Sequence, residues 1–159
     1  MRGLKGKVAL VTGAAGGMGR QICKRLVEEG CSVAMLDIDA QGLESFAAEL
    51  GKFGKVCHIA VDISDYSGVC RAVAAVEETL GPVNILVNNA GWDKFSNFLD
   101  TDEALRQKVV AINLNGPINM YCILPCRGTS RRPCRRGDQK YSFQLDYKII
   151  GKELILSIG

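Results

Sequence analysis

Apolar residues over positions 1–125 fall into two alternating patterns. Four short apolar runs, KVALVT at 7–12, SVAMLD at 32–37, KVCHIAV at 55–61 and VNILVN at 83–88, have the length and β-branched content of buried strands. Between them, apolar positions recur at helical spacing. Met18, Ile22 and Leu26, with Cys23 beside them, predict a helix over 17–29 that stops at Gly30. Leu43, Phe46, Ala47 and Leu50 predict a second over 40–50, closed by Gly51. Val69, Val73, Val76 and Leu80 form the stripe of a third, capped by Ser64 or Asp65 and ended by Gly81-Pro82. A fourth helix starts near Thr101, where Asp102 and Glu103 suit the positive end of the dipole, and runs to about Leu124.

Strands alternating with helices require crossover connections and a parallel sheet covered on both faces. The expected class is therefore α/β, a Rossmann-like doubly wound parallel sheet truncated after about four strands. After Pro125 the pattern breaks. CRGTSRRPCRRGDQK at 126–140 has almost no apolar side chains, YSFQLDY at 141–147 alternates as a strand does, and 148–158 predicts a hairpin about Gly151-Lys152. The expected organisation is a nucleotide-binding half-domain over 1–125 and a basic, irregular or hairpin tail over 126–159.

Charge sharpens that division. The net charge of +3 comes from 12 Lys/Arg against 14 Asp/Glu in residues 1–125, and 8 against 3 in residues 126–159. A chain that is 47% hydrophobic and 23% charged is a globular protein rather than a disordered or fibrous one. It contains no apolar run of membrane-spanning length, and residues 1–12 do not read as a signal peptide, so a cytoplasmic protein without membrane attachment is expected. Reduced thiols are then expected for its seven cysteines. Cys122, Cys126, Cys134 and His58 match no usual zinc spacing, and no metal site is expected. Arg127, Arg131, Arg132, Arg135 and Arg136 lack interleaved aromatics, so a solvated tail is a better reading than a nucleic-acid-binding module.

The loop from Thr12 through Gly13, Gly17, Met18 and Gly19 joins the first strand to the first helix. Glycines there permit a tight turn and let a pyrophosphate approach the backbone at a helix N-terminus. Asp37 ends the second strand, where a carboxylate accepts hydrogen bonds from both hydroxyls of an adenosine ribose and repels a 2′-phosphate. Ile38, not an arginine, follows it. The pairing favours NAD over NADP, although Arg20 lies nearby in sequence.

TGAAGGMG at 12–19 and NNAG at 88–91, with VDIS at 61–64 and INLNG at 112–116, resemble the signatures of the short-chain dehydrogenase/reductase family, in the family's order and spacing. The resemblance covers about the first half of a typical member. It implies that Gly13, Gly17 and Gly19 contact the pyrophosphate and Asp37 the ribose. By the same resemblance Asp62 and Ile63 flank adenine, and Asn89, Ala90 and Gly91 line the cofactor. Asn113 takes the place of the asparagine that kinks a helix and supports a catalytic water and lysine. GWDKF at 91–95 is similar to members acting on hydroxyacyl thioesters, including 3-oxoacyl carrier-protein reductases and hydroxyacyl-CoA dehydrogenases, with Trp92 otherwise packing under the loop. The implied activity is hydride transfer between an alcohol or hydroxyacyl group and its carbonyl.

The family's acid–base pair, Tyr-x-x-x-Lys, is not found. Tyr66, Tyr121, Tyr141 and Tyr147 are followed four positions on by Cys70, Pro125, Leu145 and Gly151. Ser142 is the nearest counterpart of the family's serine and stands in a different context. The tail therefore reads as frame-shifted or truncated, with a genuine variant C-terminus as the other reading, and the chain as impaired in catalysis or as a dinucleotide-binding remnant. Members pair as homo-oligomers through the Asn113 helix and the next one, so that interface is expected to be incomplete.

Overall fold

A computed structural model of the chain describes residues 3–128, 147–150 and 153–156. Four strands, β1 (Val8–Thr12), β2 (Ser32–Asp37), β3 (Val56–Ala60) and β4 (Ile85–Val87), form one parallel sheet in the order β3-β2-β1-β4. Every residue of β1 is buried, as expected of a strand covered on both faces. Its alternate side chains feed two cores. Ala9 and Val11 join Val33 and Met35 against α1 (Gly17–Glu28) and α2 (Ala40–Leu50). Val8 and Leu10 join Ala34 and Leu36 against α3 (Tyr66–Leu80) and α5 (Gly116–Gly128). This is the expected Rossmann-like arrangement.

The apolar stripes of α2 and α3 are buried where the spacing places them. In α1 the buried side is instead Gly19, Cys23 and Val27, while Met18 is 53% exposed. The reason lies at Gly19, whose missing side chain would collide with the Gly13 carbonyl oxygen. The helix turns that bare position onto the sheet, and Met18 is left outside. The fourth strand is shorter than 83–88, and just before it Asn84 meets Val8 twice: its backbone N–H donates to the Val8 carbonyl and its Oδ1 accepts from the Val8 amide, both at 2.9 Å.

The helix expected over 101–124 is two helices. α4 (Glu103–Val110), capped by Asp102, passes through a π turn at Ala111–Asn115 into α5. Strands β5 (Tyr147–Ile150) and β6 (Glu153–Leu156) pair antiparallel with Ile150 opposite Glu153, which is the hairpin read about Gly151-Lys152. Residues 129–146, with most of the basic run, Tyr141 and Ser142, lie outside the described residues. No helix among the described residues is long and apolar enough to cross a membrane.

Candidate functional site

The C-terminal ends of the parallel strands open onto a groove of about 820 Å³. Its floor is the loop after β1. Gly13 has φ +65°, and a side chain there would stand 2.8 Å from the Ala90 Cα, so only glycine lets the two loops approach. At Gly17 a side chain would meet nothing within 4 Å; its absence leaves the groove open above the start of α1. Of the starts of α1 to α4, that of α1 is the one without a side-chain cap. Asp39, Asp65 and Asp102 accept backbone amides at the starts of α2, α3 and α4, whereas Gly16 offers α1 no side chain. Backbone N–H groups at the positive end of α1 thus face a space suited to an anion.

The Ala15 peptide fixes the loop's shape from both sides. Its N–H donates to Asp37 Oδ2 at 2.9 Å, and its carbonyl accepts from Arg20 Nε at 2.8 Å. Arg20 Nη2 donates to the Gly42 carbonyl at 3.1 Å, and the guanidinium lies 4.8 Å from the Phe46 ring centroid. The arginine that the sequence left as an argument for a phosphorylated ribose is committed to two carbonyls and a ring. Asp37 also caps a turn, accepting from the Asp39 amide at 3.1 Å. Ile38 beside it is 74% exposed, which leaves an apolar surface at the groove.

Asp62 and Ile63 close the end beyond β3. Asp62 Oδ1 accepts from the Ser64 amide and hydroxyl at 2.8 and 2.7 Å, so the carboxylate shapes its own turn as well as facing the groove. Ile63 is held from behind, where Asn119 Nδ2 donates to its carbonyl at 2.9 Å. Beyond β4, Asn89 Nδ2 donates to the carbonyls of Thr12 and Gly13, each at 3.1 Å. Thr12 itself does not reach the groove. It is fully buried, and its hydroxyl accepts the amides of Asn89 and Ala90 at 3.0 and 3.1 Å, stitching β1 to the loop after β4. Asn88 is 7% exposed and its amide has no hydrogen-bond partner among the described residues, a group that the motif alone did not distinguish.

Asn113 also stands behind the groove. The π turn aims its amide at Trp92, donating to the backbone carbonyl and accepting from the backbone N–H, both at 2.8 Å. Trp92 lines the groove rather than merely packing beneath the loop, and the Lys108 ammonium sits 3.9 Å from its ring centroid. No sequence signal marked Lys108, because it stands on a polar helix 16 positions from Trp92. The structure thus brings Gly13, Gly17, Met18, Gly19, Asp37 and Ile38 to one groove. Asp62, Ile63, Asn89, Ala90 and Gly91 line it too, with Thr12 and Asn113 as supports.

The family description "short chain dehydrogenase" matches residues 7–125. The chain belongs to the short chain dehydrogenase family. It is 40% identical over 124 residues to the oxidoreductase UcpA of Salmonella typhimurium, a match covering 77% of this chain and 47% of that protein. It is 36% identical over 117 residues to a sorbitol dehydrogenase of Cereibacter sphaeroides, covering 74% of this chain and 45% of that one. The crystal structure of an NAD+-bound xylitol dehydrogenase superposes with a TM-score of 0.74 at 30% identity, covering 77% of this chain and 48% of that chain. This short chain dehydrogenase chain spans about half the length of the curated relatives it matches. The family works with NAD(P) dinucleotides and small-molecule substrates, and the open glycine face, uncapped helix and ribose-height carboxylate of this groove fit such a cofactor.

Proposed function

We propose that the chain binds NAD along this groove, as the coenzyme-holding part of an oxidoreductase acting on an alcohol or hydroxyacyl group and its carbonyl. When bound, NAD supplies a nicotinamide ring that accepts or returns a hydride. The chain's own residues bind and orient it. Gly17 leaves room for the diphosphate at the start of α1, where Met18 stands exposed beside it, and Gly13 and Gly19 let the loop pack closely enough for the diphosphate to lie on its backbone. Asp37 takes the ribose hydroxyls, and Ile38, Asp62 and Ile63 border the adenine. Asn89, Ala90 and Gly91 support the nicotinamide end, with Thr12 and Asn113 as positioning residues behind them. The observation that carries the reading is the Asp37 carboxylate beside a glycine loop whose nearest guanidinium is already spent on the Ala15 and Gly42 carbonyls. Among the described residues a 2′-phosphate there meets like charge and no free cation, which favours NAD over NADP.

Hydride transfer to a carbonyl also needs a positioned acid. No tyrosine in the sequence is followed four residues later by lysine, so binding without turnover is the expected behaviour of this chain. Cys23, Cys31 and Cys57 are held as thiols rather than disulfides, which suits a cytoplasmic, reducing setting. Calorimetric titration tests the proposal. Saturable NAD binding, about tenfold tighter than NADP, is expected, with the preference lost in Asp37→Ala. No saturable NAD binding would overturn the proposal; NAD reduction by a secondary alcohol would overturn the absence of turnover.

A further inference from the structure

The groove changes sign along its length. Asp62 follows β3, Asp37 and Asp39 follow β2, and the start of α1 follows β1. Past β4 the groove ends at Trp92, Ile112 and Lys108, and Lys108 is its only lysine or arginine among the described residues. Among the described residues the ammonium is in no ion pair. Glu103, the nearest carboxylate in sequence, accepts instead from Gln107 Nε2 at 2.7 Å, and Asp93 from the Lys94 amide at 2.8 Å. Lys108 rests on the Trp92 ring, where a cation is held without being neutralised. The main chain that carries the ring is tied to the helix, because the Asn113 amide engages both polar backbone groups of Trp92. An indole at the groove wall under an unpaired ammonium offers an apolar surface for a carbon chain and a charge for its anionic end.

We propose that Lys108 and Trp92 recognise a carboxylate on the substrate, which is then a hydroxy or oxo acid rather than a neutral alcohol. This rests on the coenzyme reading above. With the adenosine at the β2–β3 end and the diphosphate on α1, the cationic end beyond β4 is left for the substrate. Charge balance points the same way. An oxidised nicotinamide is positively charged, and a second cation close by is tolerated best when an anion lies with it.

The chain has a single tryptophan, so Trp92 fluorescence reports this site alone. Iodide and acrylamide are the first probes. Iodide quenching of Trp92 is expected to fall about threefold in Lys108→Met and to recover in Lys108→Arg, while quenching by neutral acrylamide is unchanged. Equal iodide quenching in wild type and Lys108→Met overturns the site. In saturating NAD, 3-hydroxybutyrate is expected to change Trp92 emission saturably, about tenfold more tightly than its methyl ester, with the difference lost in Lys108→Met. An ester that binds as tightly as the acid, or an acid that does not bind, overturns the carboxylate assignment. A parallel loss of NAD affinity in Lys108→Met would assign the cation to the coenzyme and overturn it too. If the wild type binds no NAD, the coenzyme reading fails by itself, and the iodide comparison still decides whether Lys108 presents an anion site.

Discussion

At Gly19 a methyl group would stand against the Gly13 carbonyl oxygen, whereas at Gly17, two residues earlier, it would stand in open space. The two glycines therefore separate folding from binding. Gly19→Ala is expected to destabilise the protein by about 1–3 kcal/mol, seen as a lower denaturation midpoint, because backbone rather than a flexible side chain must move. Gly17→Ala is expected to keep the wild-type midpoint and to weaken NAD binding about tenfold by calorimetry, since its methyl group projects where the diphosphate would lie. Arg20 acts through the same loop. Arg20→Met removes both donors to the Ala15 and Gly42 carbonyls while keeping an apolar stem against Phe46. NAD and NADP affinities should fall by the same factor if the arginine only shapes the loop; a selective loss of NADP would mean that it reaches the 2′-phosphate. The glycines and Asp37 were legible in the sequence because each is demanded by a local backbone or charge requirement. The occupation of Arg20 was not, since its partners Gly42 and Phe46 come from a different helix.

Among the elements, the joint between α4 and α5 carries the most function. A π turn widens the helix by one residue per turn and so redirects a side chain, here Asn113, across to the loop after β4. Asn113→Ala is expected to cost about 0.5–1.5 kcal/mol, through two lost bonds whose exposed partners water then satisfies. Its distinguishing sign is a red shift of Trp92 emission, since the indole loses the anchor that holds it at the groove. Unchanged emission would mean that the loop holds itself. Periodicity found the helices on either side of this joint and ran straight through it. The apolar spacing of α- and π-turns over five residues is nearly the same, and the bonds that favour the wider turn come from a segment 21 residues away. The stripe misplaced in α1 has a related cause: an apolar side chain such as Met18 marks what could be buried, while the closest approach to the sheet was reserved for a residue with no side chain.

For the molecule as a whole, pH and surface character give two further tests. Burial pushes the Cys23 thiol up to about 12 and that of Cys57 up to about 11. In the unfolded chain these thiols ionise near the ordinary value of about 8.5, so above it the folded state holds more protons and stability falls as pH rises. Stability from Cys23 is complete below about pH 8.5 and is lost progressively toward pH 12; Cys23→Ala should flatten that alkaline limb in denaturant unfolding series. An equally steep limb in the variant would exclude Cys23 as a source. Phe95 and Leu99 are 88% and 93% exposed, a surface that favours self-association. Sedimentation should show concentration-dependent association that weakens in Phe95→Ser/Leu99→Ser. The sequence by itself determined the α/β class, the alternation of strands and helices up to β4, the antiparallel pairing of chain on either side of Gly151-Lys152 and the residues of the glycine loop and its carboxylate. These depend on spacing and conformational freedom that any short segment carries with it. Only the tertiary structure decided that Thr12 and Asn113 stand behind the groove, that Arg20 is occupied, and that Lys108 lies over Trp92. Such pairings join residues whose separation along the chain says nothing of their distance in space, until the sheet and its helices have packed.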